Sequence, residues 1–93
     1  MKNKNDISRT FNALAHKRRV LLFELLLKHP QKSMAFGQLQ GLSKIPDAPL
    51  AHHLRVLETG GLIRRKVKGR YTYFKLYLSD FRTTLETVEN YCA

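Results

Sequence analysis

The chain is poor in cysteine, in tryptophan and in acid. Its 93 residues include one Cys, no Trp, and 7 Asp plus Glu against 17 Lys plus Arg. A lone thiol makes neither an intrachain disulfide nor a Cys-based zinc cage, so a reducing, cytoplasmic setting is expected. No apolar run approaches the roughly 20 residues of a membrane-spanning helix. The longest, Val20–Leu27, is interrupted by Glu24, and no membrane partner is expected. The opening Met1-Lys2-Asn3-Lys4-Asn5-Asp6 is polar and leads into no apolar h-region, which predicts no signal peptide. Nucleophile motifs, phosphate-cradling glycine loops and carboxylate pairs are missing, which argues against an enzyme and against a cofactor. Repeats, low-complexity tracts and Gly/Ser/Pro-rich linkers are missing too, so residues 1–93 are expected to form a single domain. With 43% apolar residues the sequence is too hydrophobic to read as disordered.

What is present is positive charge, +10 in formal terms, and it is clustered. Arg64, Arg65, Lys66, Lys68, Arg70 and Lys75 lie between Ile63 and Leu76 with no acid among them. Lys17-Arg18-Arg19 is a second cluster, and His52, His53 and Arg55 form a third. Beyond them the sign reverses, with Asp80, Glu86 and Glu89 against Arg82. A charge run is ordinarily a solvated face. Here it alternates with Tyr71, Tyr73 and Phe74 around a Gly, the mark of a folded strand pair whose aromatics pack. A polyanion, nucleic acid first, is the natural partner. An anionic membrane fits less well, because the charge follows a strand pattern and not an amphipathic helix.

Five helices and a two-stranded hairpin are predicted. Asp6 can cap a first helix carrying Ile7, Phe11 and Leu14. A second runs from about Lys17 to Lys28 and stops before His29-Pro30. It is apolar almost all round, as suits a core helix or one partly buried by another subunit. Met34, Leu39 and Leu42, with Phe36 near the start, predict a short third helix. After the turn Ser43–Asp47, Asp47 is the expected N-cap of a fourth helix, with Pro49 in its first turn and Gly60-Gly61 at its end. Leu62–Val67 and Arg70–Leu76 read as a hairpin joined at Lys68-Gly69. Leu78, Phe81, Leu85, Val88 and Cys92 then recur at steps of three and four, a helical seam suited to packing on another helix. The fold class is mostly α with a small β-hairpin, in the order α-α-α-α-β-β-α.

Two short helices joined by a tight turn make a helix-turn-helix. On a 100° wheel the fourth helix gathers Leu50, Leu54 and Leu57 on one side. Ala48, His52 and Arg55 fall opposite, with Ala51 and His53 at the flanks. Such a helix can be anchored on one face and read base edges with the other, Arg55 by a bidentate contact to guanine and His52 to a base or phosphate. Asp47 and Pro49 open the same helix. Arg64, Arg65, Lys66, Lys68 and Arg70 would sit on a wing that adds phosphate or minor-groove contacts. His53 has two open readings, a structural role and a DNA-side one. His16 and His29 stand at helix ends, where stabilising a terminus is the default. Adjacent His52 and His53 point about 100° apart and cannot chelate one ion together.

Three segments resemble the ArsR family of bacterial winged helix-turn-helix repressors. Ala13-Leu14-Ala15-His16-Lys17-Arg18-Arg19 is similar to its opening motif, and Leu50-Ala51-His52-His53-Leu54-Arg55-Val56-Leu57 to its recognition helix. Gly60-Gly61-Leu62-Ile63 with Lys68-Gly69-Arg70-Tyr71-Thr72-Tyr73-Phe74-Lys75-Leu76 is similar to its wing. The resemblance spans roughly residues 7–90. It implies a homodimer that binds a palindromic double-stranded DNA operator and represses transcription. The dimer would form through the first and last helices, here Ile7, Phe11, Leu78, Phe81, Leu85, Val88 and Cys92. The family's metal motifs are altered: Ala35 and Gly37 stand where cysteines would, and Arg82 stands two residues after Asp80 where a His would. A cation there repels a metal, so no metal site is expected. Pro46, Pro49 and Ala51 also depart from the family's recognition helix. The inducing signal is open, a small molecule or a redox change at Cys92 among the choices, although Cys92 also reads as a plain hydrophobe. Two other uses of the same basic surface are an RNA- or ribosome-associated winged module and a protein-interacting one.

Overall fold

The computed structural model describes residues 2–92; Met1 and Ala93, the ends of the expected domain, lie outside the described residues. Helix α1 (Lys4–Ala13) begins one turn earlier than the sequence pattern suggests. Asn3 is its N-cap, its side chain accepting the Asp6 N–H at 2.9 Å while Asp6 accepts the Asn3 N–H in return. Asp6 is thus the third helical residue of a capping box rather than the cap. It also pairs with Arg9. Helix α2 (Lys17–Leu27) starts on His16, whose Nδ1 accepts the Arg18 N–H at 3.1 Å. Only one side of α2 is fully covered, through Leu22 and Leu26, while Leu21 and Leu27 stay exposed.

Strand β1 (Met34–Ala35) is an element the hydrophobic pattern did not predict. It pairs antiparallel with β3 (Tyr71–Leu76), which pairs in turn with β2 (Ile63–Lys68). The expected hairpin is therefore a three-stranded sheet in the order β1-β3-β2, and Met34 belongs to it and not to a helix. Strand β2 is shifted by one residue from the expected bounds, and β3 starts one residue late but ends at Leu76 as expected, with Gly69-Arg70 at the turn.

Helix α3 (Phe36–Ser43) ends on Lys44 in the left-handed region at φ 60°. Ser43 Oγ accepts the Ile45 N–H at 3.2 Å, and Ile45 turns into the core. Helix α4 (Asp47–Thr59) follows at once. Its N-cap is Pro46 and not Asp47, which occupies the first helical position. There its carboxylate favours the positive end of the helix dipole. At the far end α1 and α4 meet closely. A Cβ on Gly60 would fall 2.6 Å from the Ala13 Cβ, so only glycine lets the helices approach this near. The buried Thr10 hydroxyl donates to the Gly60 carbonyl at 3.0 Å across the same contact. Gly61, at φ 77°, then reverses the chain into β2. Leu22, Leu26, Leu39, Leu50, Leu54, Leu57 and Leu62, among others, meet in one buried cluster under the sheet edge.

Helix α5 (Ser79–Cys92) packs along α1. Its fully covered side chains are Thr84 and Thr87, whose hydroxyls donate back to the Asp80 and Thr83 carbonyls. That buried stripe lies beside the predicted apolar seam, one residue out of step with it. Within the seam Phe81 packs edge-on against Phe23 at 5.9 Å, Leu78 and Val88 are half-buried, and Leu85 and Cys92 are exposed. Phe81 is therefore spent largely on the chain's own core. Among the described residues no helix is long and apolar enough to cross a membrane.

Candidate nucleic-acid interface

The anchored face of α4 is the one its spacing predicts: Leu50, Leu54 and Leu57 are buried. Asp47, Ala48, His52 and Arg55 point to solvent, and Pro49 and Ala51 are half-buried at the sides. His53 departs from this outward set. It is only 6% exposed and faces the α1–α2 corner, against Arg19 and His16. Arg64, Arg65, Lys66, Lys68 and Arg70 are all exposed on the hairpin. A cleft of about 380 Å³ separates hairpin from α4, lined by Ala51, Arg55, Glu58, Arg65 and Thr72. Within it Arg65 Nε lies 3.7 Å from Glu58, a largely exposed ion pair that links the wing to the helix. No sequence pattern announced this pair, because strand and helix residues meet only after the chain reverses at Gly61.

Arg19 is the second departure. The basic run Lys17-Arg18-Arg19 suggested a solvent-facing cluster, yet Arg19 is buried, at 9% exposure. Its Nε donates to the Ala13 carbonyl at 2.9 Å and a terminal nitrogen to the Asn12 carbonyl at 3.1 Å. Those are the last carbonyls of α1, at the negative end of its dipole, and the Asn12 carbonyl also accepts the Ala15 N–H at 3.1 Å. The other terminal nitrogen lies 3.3 Å from His53 Nδ1. A guanidinium offers only donors, so His53 Nδ1 is the acceptor. One guanidinium thus ties α1, α2 and α4 together.

The His53 ring also stacks at a tilt on His16 (4.6 Å) and lies 5.6 Å from His52. Burial pushes the His53 pKa below the ordinary imidazole value, and the charges of His16, Arg19, His52 and Arg18 push it further in that direction. The unfolded chain therefore binds a proton that the folded chain refuses. Stability is expected to fall as pH drops below about 6.5, by up to about 1.4 kcal/mol per pH unit, until folded His53 itself protonates. Urea unfolding at stepped pH measures this. A His53→Gln variant should show a flatter dependence; an unchanged slope would remove His53 as its source.

The predicted dimer residues lie on the α1 and α5 surfaces: Ile7 and Val88 half-buried, Phe11 and Leu85 exposed, Cys92 exposed near the end of α5. At the family's metal positions, Ala35 sits in β1 and Gly37 in the first turn of α3, where neither offers a ligand atom. Asp80 pairs instead with Lys2 at 3.1 Å.

A tight helix-turn-helix whose second helix is flanked by a basic hairpin defines a winged helix-turn-helix domain. No protein-family model matches the chain, and no curated protein does. Solved structures do match its fold. An ArsR-like transcriptional regulator from Rhodococcus sp. is 20% identical with a TM-score of 0.80, over 92% of this chain and 78% of that one. HlyU from Vibrio cholerae is 22% identical with a TM-score of 0.74, over 99% of this chain and 98% of that one. A third is described as the homodimeric winged helix-turn-helix DNA-binding domain of a possible ArsR-family regulator from Mycobacterium bovis. It is 21% identical with a TM-score of 0.72, over 92% of this chain and 80% of that one. The fold is thus the one that transcriptional regulators of the ArsR and HlyU type adopt.

Proposed function

We propose that the chain is a sequence-specific, double-stranded DNA-binding transcriptional regulator of ArsR type. In this reading it is a cytoplasmic homodimer that occupies a palindromic operator and represses transcription, without the family's cysteine metal site. The observation that carries the reading is the division of α4, with three leucines locked into the core and His52 and Arg55 free on the opposite face. A helix so held can enter a major groove without disturbing its own anchorage. Arg55 is assigned a guanine contact and His52 a base edge or phosphate, with Asp47, Ala48, Pro49 and Ala51 along the approach. The wing cations Arg64, Arg65, Lys66, Lys68 and Arg70 are assigned to the phosphate backbone or the minor groove.

Support for the dimer comes from apolar side chains on α1 and α5 that the chain leaves uncovered, Phe11 at 46%, Leu85 at 40% and Tyr91 at 73% exposure. Selection from a random duplex pool tests the whole reading. Enrichment of an inverted repeat with half-site centres about 10 bp apart is expected. A pool with no enriched sequence would refute it. In parallel, Leu85→Asp places a charge in the proposed interface and should yield monomers in sedimentation with the fold intact. A variant that still sediments as a dimer would move the interface elsewhere.

A further inference from the structure

Three segments end or turn at one corner of the fold, away from α4. Helix α2 stops before Lys28-His29-Pro30 with Leu27 as its last residue, 42% exposed. Strand β3 ends at Leu76, and only Tyr77 and Leu78 separate it from α5 at Ser79. Leu76 packs on the core cluster yet stays half-buried, as Leu78 does. These three leucines line a groove of about 490 Å³. Tyr77 lines it too, with the Arg64 guanidinium over its ring at 3.6 Å.

Lys75 and Arg82 stand at the same groove, both exposed. Neither takes part in an ion pair among the described residues, and no acid is among the described residues that line the groove. The acid nearest in sequence to Arg82, Asp80, is held by Lys2 at 3.1 Å. Other hollows of the surface differ in kind. The cleft beside α4 sets Glu58 against Arg65, and the groove at the α1–α2 corner is lined by both Lys17 and Glu24. The groove over Lys66 and Lys68 is cationic but has no leucine in its lining. Exposed leucine beside unpaired cations suits a molecule that has both characters. A bare phosphate would leave the leucines in water, and a neutral hydrocarbon would leave the cations unused. A carboxylate matches the planar fork of arginine. The volume falls in the range of small-molecule sites, roughly 300–1,000 Å³.

We propose that this groove is a binding site for a small hydrophobic monocarboxylate, its apolar skeleton on Leu27, Leu76 and Leu78 and its carboxylate held by Lys75 and Arg82. Covering the leucines supplies the driving force, and the cations select the head group. Lys75 belongs to β3 and Arg82 to α5, so one carboxylate bridges the hairpin and the last helix. The site is separate from the outward face of α4, and the proposal stands or falls independently of the DNA-binding reading.

The test is methyl NMR of leucine-labelled protein titrated with 1-naphthoate. The signals of Leu27, Leu76 and Leu78 should shift saturably, with a Kd of about 1 mM or tighter, while Leu42, exposed on α3, stays still. 1-Naphthalenemethanol, the same skeleton without the charge, should bind about tenfold more weakly. Lys75→Gln/Arg82→Gln should lose about tenfold in affinity for naphthoate and hold acid and alcohol alike. Lys4→Gln, which removes an exposed cation of α1 outside the groove, should match the wild type. Leu27→Ser should weaken both ligands. All four substituted positions are exposed, so the variants are expected to keep the wild-type fold, which their methyl spectra report. Octanoate tests the skeleton: shifts at the same three leucines sustain the site, and the tighter of the two acids identifies an alkyl or an aryl ligand. Equal affinity of the wild type for acid and alcohol would overturn the role of the cations. Undiminished binding by the double variant would place the ligand elsewhere. Shifts that fail to saturate, or that extend to Leu42, would mean adsorption to a basic surface and overturn the site. Contacts at these leucines between differently labelled copies would give the groove to a second copy of the chain and overturn the choice of occupant.

Discussion

Replacing Arg19 with methionine is expected to lower the unfolding free energy by about 3 kcal/mol or more. Methionine keeps the apolar stem but removes every donor. The Ala13 carbonyl and the His53 ring nitrogen would then lose their shared partner in a buried corner, while the part-buried Asn12 carbonyl keeps the Ala15 N–H. Each stranded acceptor costs more than the net worth of the bond it loses, because water does not replace the donor. For a domain this small the change corresponds to a fall in Tm of roughly 12–24 °C. Arg19→Lys should recover only part of it, since one ammonium cannot serve three acceptors set out for a planar fork. Urea unfolding followed by circular dichroism decides the matter. A loss below about 1 kcal/mol would mean that the guanidinium is not the tie between α1, α2 and α4. The effect should also reach DNA binding, because His53 is one of the side chains that set how α4 sits on the domain.

Arg55→Ala should do the reverse, leaving stability alone and removing recognition. Arg55 is exposed and takes part in no ion pair or side-chain hydrogen bond among the described residues, so the folded state has little to lose. A bidentate contact to guanine is worth about 1–3 kcal/mol. In a two-fold dimer the contact occurs twice, and the expected loss of affinity for the selected site is about 2–6 kcal/mol, with Tm unchanged. Arg55→Lys keeps the charge but not the fork, so it should retain non-specific binding and lose preference at one base position in each half-site. Unchanged affinity of Arg55→Ala for the selected duplex would take the recognition role away from this face of α4.

Together these variants separate two kinds of basic residue that look alike in the chain. Arg18 and Arg19 are neighbours in the same cluster, yet Arg18 is exposed while Arg19 is interior. Arg64 and Arg65 are neighbours too, and the pleat sends one outward over Tyr77 and the other inward to Glu58. Strand alternation predicts that adjacent residues part company. It does not say which of them looks at α4.

Several features were legible because their causes act over a few residues. The end of α2 before His29-Pro30, the leucine face of α4 and its stop at Gly60 follow from backbone sterics and helical periodicity. The hairpin around Gly69 follows from turn chemistry. The same local rules misplaced two caps, one by three residues and one by a single residue, since Asn3 and Pro46 take the positions expected of Asp6 and Asp47. Other features needed the chain to close on itself. Strand β1 is two residues long, too short for any periodicity, and exists because β3 offers it a free edge. The Arg19–His53 contact joins residues 34 positions apart. On α5 the threonine stripe and the apolar seam are neighbouring faces, and packing buried the threonines more fully than the larger side chains of the seam. Composition and spacing therefore established a basic winged helix-turn-helix with an outward Arg55. Which cations turn outward and which bind the core together was left to tertiary packing, because desolvation and hydrogen-bond partners arise only where distant segments meet.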